Sequence, residues 1–339
     1  MSSRDTYNIR VNKPSSNYPV NMGSPQFGWF GLGSMGLGMA LNLQKYLHSN
    51  DLPPLHYSNR SLAKGQPLQA AGAIPKDNFQ AVVETSDIIF TMISNDEVLT
   101  GLLDKILTTN TKDKDSKALE GKIFVDTSTI HPDTSESATQ RLKEQGATFI
   151  SSPVFGASPV AAAGKLIFAI AGPVSAINTI TPLIQDVMGR SIINMGEDVR
   201  RSSLLKICGN ILVISFLEVL SESHILAEKN GLSPFLLQEF IGNMFGPVLE
   251  SYSNRITSGA YAPPPDQGPG FAAALACKDM GHALSLARGA GVSLPTVEIA
   301  FGRLNAAREF AGECLDSSAV YGIARKEAGM GFWSGECRR

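Results

Sequence analysis

The chain has 339 residues, enough for roughly two domains of ordinary size, and its 43% hydrophobic content can fill their cores. With 29 Lys+Arg against 31 Asp+Glu the formal net charge is -2, so no global positive field exists to hold nucleic acid or an anionic membrane. Four cysteines (Cys208, Cys277, Cys314, Cys337) without a CxxC pair offer neither a disulfide framework nor zinc-ligand spacing; a reducing compartment and no metal are expected.

Residues 1–25 read as a disordered tail, rich in Ser, Asn and Pro and without the apolar run of a secretory signal. Arg4, Arg10, Lys13 and the serines would suit a mitochondrial transit peptide, whereas Asp5, Pro14 and the missing amphipathic face argue against one. The cytoplasm is the expected location and the mitochondrion the alternative. Short apolar runs then alternate with longer helix-like stretches: Phe27 to Gly31, Leu55 to Ser58, Ile88 to Ile93, Ile123 to Thr127, Ala147 to Ile150 and Leu166 to Ile170. That alternation predicts an α/β domain over 26–195, a doubly wound, mostly parallel sheet of Rossmann type with crossover helices. Thr108 to Gly121, of mixed charge, reads as a solvated loop.

From Gly196 the strand-like runs stop, and an all-α domain is expected over 196–328, followed by a second tail over 329–339. Its first helix, Ser202 to Asn230, is apolar on nearly every face, as suits a helix joining two domains or two subunits. The longest apolar run in it, Ile207 to Leu220, is too short and, with Asn210 and Glu218, too polar to cross a membrane. The APPPDQGPG segment, Ala262 to Gly270, can be neither helix nor central strand.

Directly after the first strand comes Gly31-Leu32-Gly33-Ser34-Met35-Gly36, followed by Met35, Met39, Leu43 and Leu47 at helical spacing. In a strand–turn–helix context, the first glycine makes the tight turn and the second admits a pyrophosphate. The third lets the helix pack on the strand while its N-terminus faces the phosphates. A dinucleotide is therefore expected here. At the end of the second strand an acid would accept from a free ribose 2'-hydroxyl, but the sequence reads Ser58-Asn59-Arg60-Ser61. Donors of this kind suit a 2'-phosphate, so NADP is expected over NAD.

Lys206 and Asn210 lie four apart on the apolar helix, where Leu204, Leu205, Ile207 and Ile211 would desolvate an ammonium and lower its pKa. Such a lysine suits moving an alcohol proton while hydride passes to or from a nicotinamide. Spacing alone equally allows a lysine snorkelling to the surface.

Six ordered blocks between Phe27 and Ala311 (GLGSMGLGMALNL, TMISND, VDTSTIHP, SPVFGA, KICGN and CKDMGHAL) resemble the β-hydroxyacid dehydrogenase family. That family includes 3-hydroxyisobutyrate dehydrogenases and glyoxylate/succinic semialdehyde reductases; its N-terminal part is similar to the NADP-binding domain of 6-phosphogluconate dehydrogenase. The resemblance implies that Lys206 is the acid/base, that Asn210 positions it and the substrate, that Met92, Ile93 and Ser94 line the cofactor, and that Thr129 reaches the nicotinamide side. It implies too that Lys278 with Asp279 closes the cofactor site, and that Phe245 and Phe271 wall the substrate pocket. Where the family's substrate block carries a serine, this chain has Phe155, followed by Gly156 and Ala157, and Arg200-Arg201 stand where small glycines are usual. A bulkier, more apolar substrate and an arginine anion clamp follow as expectations.

No GxSxG, HExxH or P-loop is present, and His131, before Pro132, reads as serving a helix start. The acid pairs Glu218/Glu222 and Glu120/Asp126 read as helix surface and strand edge. Two classes remain: an NADP-dependent reductase or dehydrogenase of a small molecule, with imine reduction as a variant, or a non-catalytic dinucleotide-binding assembly module. Lys206 with Asn210 favours the enzyme, and the apolar helix a homodimer or homotetramer.

Overall fold

The computed structural model describes residues 24–109, 119–264, 267–335 and 337. The N-terminal tail expected over 1–25 lies, through residue 23, outside the described residues, as does most of the loop expected over 108–121. The alternating part runs β1 (Phe27–Phe30), α1 (Ser34–Ser49), β2 (His56–Ser58), α2 (Gln66–Ala70), β3 (Ile74–Pro75), α3 (Phe79–Glu84), β4 (Ile88–Thr91), α4 (Asp96–Thr109), β5 (Ile123–Asp126), α5 (Pro132–Lys143) and β6 (Thr148–Ser151). Then follow β7 (Val154–Phe155), α6 (Ser158–Ala162), β8 (Leu166–Ile170), α7 (Val174–Ile184) and β9 (Gly189–Asn194). Helices alone remain after that: α8 (Val199–Lys229), α9 (Pro234–Phe245), α10 (Pro247–Thr257), α11 (Ala273–Ala290), α12 (Pro295–Ala311) and α13 (Val320–Glu327).

The main sheet is parallel, in the order β3-β2-β1-β4-β5-β6. Strand order therefore reverses between β1 and β4, and the crevice beyond their carboxyl ends is where an open α/β sheet binds its ligand. Both faces are covered. On one, Phe27, Trp29 and Phe90 pack with α1 (Leu43, Leu47) and with Leu166 and Phe168; on the other, Ile89, Phe124 and Phe149 meet Leu99, Leu103 and Leu142 of α4 and α5. Burial on both sides explains the unbroken apolar runs in the sequence.

Two expectations change here. The run at Leu166 does not extend the main sheet but centres a second one, β7-β8-β9, antiparallel on one side and parallel on the other. Its partners were not visible because β7 has two residues and β9 mixes polar with apolar ones. The charged loop starts later than expected, since α4 continues through Thr109, and Leu119 beyond it is buried.

The helix α8 is a continuous 31 residues, about 46 Å at 1.5 Å per residue, and by length and composition it is long and apolar enough to cross a membrane. The 14-residue apolar run is only part of this helix, expected over Ser202 to Asn230, and its polar residues are satisfied inside the protein. Asn210 bonds Asp279, Ser221 bonds Leu217 O, and Glu218 pairs with Arg303. Glu218, expected on the surface, is 2% exposed, and burial pushes its carboxyl up against the Arg303 charge. Ile207, Ile214 and Leu217 form the helical core with Ile241, Ile256, Met280 and Leu304. The expected C-terminal tail is packed: Phe332 is buried, its carbonyl accepts from Tyr261 Oη at 2.8 Å, and its ring meets Tyr261, Phe310 and Trp333.

Candidate active site

A cavity of about 970 Å³ opens at the strand-order reversal, at the upper end of the roughly 300–1,000 Å³ usual for ligand sites. Gly31, at φ +100°, turns the chain from β1 so closely against Met92 that a side chain would strike the Met92 carbonyl, and one on Gly36 would strike Gly31 O. A Cβ on Gly33, by contrast, would meet nothing within 4 Å. The loop is thus pinned by its first and third glycines and bare at its second, which is the cradle a pyrophosphate requires. Leu32, Ser34 and Met35 complete it, at an α1 N-terminus with no acid in its first turn.

Asn59, Arg60 and Ser61 line the cavity after β2, and Asp77, in the turn after β3, lines it too. Asn59 Oδ1 accepts from Leu32 N at 2.9 Å and its amide donates to Ser61 O at 2.8 Å, so this side chain braces the glycine loop. Arg60 is exposed at the rim, and Lys64 joins it in the wall. Lys64 was missed; its spacing four residues after Arg60 was the available signal.

On the opposite side Met92, Ile93 and Ser94 line the cavity. Their backbone is held by a buried carboxylate: Thr91 Oγ1 and Ser128 Oγ each donate to Asp126 Oδ1 at 2.7 Å, and Ile93 N donates to Ser128 Oγ at 2.8 Å. Asp126, read from sequence as a strand-edge acid, ends a strand flanked on both sides and is 1% exposed. Burial pushes its pKa up to about 6 against the hydrogen bonds and the Lys278 charge. The far end of this segment is tied to the helical region. Asp96 Oδ1 accepts from His131 N at 2.7 Å and Asp96 Oδ2 lies 2.9 Å from His282 Nε2 of α11. Burial alone would raise the Asp96 carboxyl, but these contacts and one from Thr134 hold it well below the usual carboxylate range. His131 Nδ1 accepts from Asp133 N at 3.2 Å and so caps α5, as its place before Pro132 indicated.

Lys206, partly buried on α8, donates to Asn210 Oδ1 at 2.9 Å. Asn210 donates to Asp279 Oδ2 at 2.5 Å; Asp279 Oδ1 lies 3.1 Å from Lys278 Nζ, which also donates to the Thr129 carbonyl. A polar chain therefore runs from α8 through α11 to the loop after β5. Burial brings the Lys206 ammonium down to about 8, with Asp279 opposing that and Lys278 adding to it. The geometry removes the snorkelling alternative, because the amine turns to an asparagine one helical turn on instead of to solvent.

The expected substrate walls divide. Phe155 stands beside Lys206, its ring centroid 4.5 Å from Nζ. Asp279, 2% exposed, sits behind Asn210 as its brace, away from any open surface. Phe245, 55% exposed at the end of α9, lines neither this cavity nor the second one of about 470 Å³. Phe271 lines neither as well; its backbone is tied to Asp316 and Ser317. Ala157, past Gly156, borders the second cavity with Arg255 and Asp316. The anion clamp fails too: Arg200 is spent on Asp133 and Glu136, and Arg201 lies 3.7 Å from Asp198 at the outer helix start.

A dinucleotide cradle at the switch point of a doubly wound sheet, together with a buried, depressed lysine on α8, defines a nicotinamide-dependent oxidoreductase. Residues 26–196 match the NAD-binding domain of 6-phosphogluconate dehydrogenase, and residues 201–324 match the NAD-binding region of NADP-dependent 3-hydroxyisobutyrate dehydrogenase. The chain belongs to the β-hydroxyacid dehydrogenase family. It is 30% identical to the NAD-dependent L-serine dehydrogenase of Pseudomonas aeruginosa over 81% of this chain and 89% of that protein. It is 29% identical to the NADH-dependent oxidoreductase ucdB of Aspergillus ustus over 88% and 98%. The fold is shared with a solved 3-hydroxyisobutyrate dehydrogenase from Salmonella typhimurium, at a TM-score of 0.75 and 19% identity, covering 88% of this chain and 99% of that one.

Proposed function

We propose that the protein transfers hydride between NADP and the carbonyl or alcohol carbon of a small molecule, with Lys206 moving the accompanying proton. A nicotinamide dinucleotide bound over Gly31 to Gly36 supplies or accepts the hydride. The observation that carries the reading is the fixed Lys206–Asn210–Asp279 chain, tied through Lys278 to the Thr129 carbonyl in the loop after β5. A general acid works best when its pKa is near the operating pH, and burial has brought this ammonium most of the way there. Lys206 Nζ gives its proton to the developing alkoxide and recovers it in the reverse direction. Asn210 holds the amine in one orientation, and Asp279 fixes the asparagine amide. Lys278, reaching the Thr129 carbonyl, holds α11 against the cofactor side of the site.

For the cofactor, Arg60 and Lys64 supply two cations at the rim against one lining carboxylate in the turn after β3, Asp77, and the end of β2 itself carries no acid, which supports NADP over NAD. Tryptophan-quenching titrations with NADPH and NADH test this; tighter NADH binding would overturn it. The domains are read as 26–195 and 196 onward through the packed Phe332 segment, and the place of work as the cytoplasm. A homodimer is favoured by the apolar face that Leu212, Val219 and Leu226 of α8 share with Phe235, Phe240 and Met244 of α9, all exposed in the single chain.

A further inference from the structure

Helix α11 meets the dinucleotide-binding part along one stripe. Leu275, Lys278 and His282 recur at i, i+3 and i+7: Leu275 lines the cavity, Lys278 Nζ donates to the Thr129 carbonyl, and His282 Nε2 lies 2.9 Å from Asp96 Oδ2. Asp279, next to Lys278, holds Asn210 of α8. The placement of this one helix therefore sets the orientation of the Lys206 amine.

Of these two polar ties, His282 is the stiffer. Lys278 reaches Thr129 on a four-carbon stem that follows small movements of the helix, whereas an imidazole turns about two torsions only. The His282 ring stands edge-on to that of His131, centroids 5.5 Å apart, and its side chain and that of Asp96 are each 17% exposed. Contacts hold the Asp96 carboxyl well below the usual carboxylate range, so it is ionised near neutral pH and the ring nitrogen facing it carries a proton. The other Asp96 oxygen accepts from His131 N, His131 Nδ1 accepts from Asp133 N, and Asp133 pairs with Arg200 at 2.8 Å. These contacts close a ring. It leaves α8 at Arg200, passes through the starts of α5 and α4 to His282, and returns along α11 through Asp279 to Asn210.

We propose that His282 is a positioning residue: by pairing with Asp96 it fixes α11 against the starts of α4 and α5 and so holds the Asp279–Asn210–Lys206 chain in place. The proposal rests on the reading of Lys206 as the proton carrier, yet its test needs no turnover.

The ε-carbon signal of Lys206 in lysine-labelled protein, assigned with Lys206→Arg, is titrated in the parent, His282→Leu and His282→Gln. Leucine keeps apolar volume and removes the N–H; glutamine returns an amide N–H near the place of Nε2. Freed from Asp96, α11 admits water to Lys206 and draws Lys278 and Asp279 away together. Burial, the largest effect on this amine, and Lys278 both lower its pKa, while Asp279 alone raises it. The midpoint in His282→Leu therefore rises from about 8 toward the ordinary 10.5, by about half a unit or more, and His282→Gln stays near the parent.

An unmoved midpoint in His282→Leu overturns the positioning role. Equal shifts in the leucine and glutamine variants reduce His282 to packing and overturn it too. If His282→Leu does not fold, His282→Asn, whose amide stops short of Asp96, takes its place with the same expectation. A shift that glutamine reverses, in a protein whose Lys206→Ala form transfers hydride at the parental rate, supports the positioning role and overturns the proton-carrier reading instead.

Discussion

Asp126→Asn should change stability in a way that depends on pH, because the carboxyl it replaces is buried behind the Met92–Ser94 wall of the cavity. A folded-state pKa of about 6 against an ordinary value of 3.8 corresponds to about 3 kcal/mol at 1.36 kcal/mol per unit. The sign follows from the raised value. The folded protein prefers the protonated acid, so the penalty is complete above about pH 6, shrinks as pH falls and is gone below the unfolded value. Asparagine keeps the Oδ1 that accepts from Thr91 and Ser128, but it places an amide where Oδ2 has no hydrogen-bond partner, at a cost of about 1 kcal/mol or more. The variant should therefore be about 1–2 kcal/mol more stable than the parent near neutral pH, and the parent should recover about 2.4 kcal/mol relative to it by about pH 4. Urea unfolding of both proteins across that range measures the difference directly. A stability difference constant with pH would refute the assignment of a buried, destabilising charge. Asp126→Ala, losing both hydrogen bonds to the loop, should also weaken dinucleotide binding about tenfold, which Asn should not.

Arg60→Ala should weaken NADPH binding by about 1.5–3 kcal/mol and leave NADH nearly unchanged, since only the former offers a charge-assisted contact; equal losses in fluorescence titrations would remove Arg60 from 2'-phosphate recognition. Arg303→Met should destabilise the helical region by about 3–5 kcal/mol, because Glu218 is left buried without its partner, and Glu218→Gln in the same protein should restore most of it. An Arg303→Met protein that unfolds at the parental urea concentration would show the pair to be dispensable. Leu226→Asp with Phe240→Asp should convert a dimer to a monomer in light scattering, and a parent protein that is already monomeric would contradict the proposed face.

The main sheet and the glycine loop were legible because parallel strands covered on both faces leave continuous apolar runs, and because Gly31 and Gly36 stand where only glycine fits. The second sheet was not, since β7 and β9 are short or mixed and owe their extension to pairing with β8. In the site, Lys206 and Asn210 were visible at one-turn spacing. The roles of Asp126 and Asp279 were not, because each depends on partners 35 to 69 residues away in sequence. Phe245 shows a related ambiguity: an aromatic residue on a helix reads the same whether it faces a pocket or, as in this single chain, stands exposed. Phe332 shows the converse, a buried ring in a segment whose composition reads as tail.

The central claim is that Lys206 moves the proton, and stopped-flow measurement of hydride transfer in Lys206→Ala tests it most directly, with NADPH affinity measured on the same protein. Loss of a general acid costs about 10²–10⁴ in rate, so hydride transfer should slow by that factor. NADPH affinity should hold, because the cofactor's phosphates rest on the Gly31 to Gly36 loop. Lys206→Arg should be nearly as slow, since a guanidinium does not release its proton near neutral pH. Hydride transfer in Lys206→Ala at close to the parental rate would contradict the account and place the acid elsewhere.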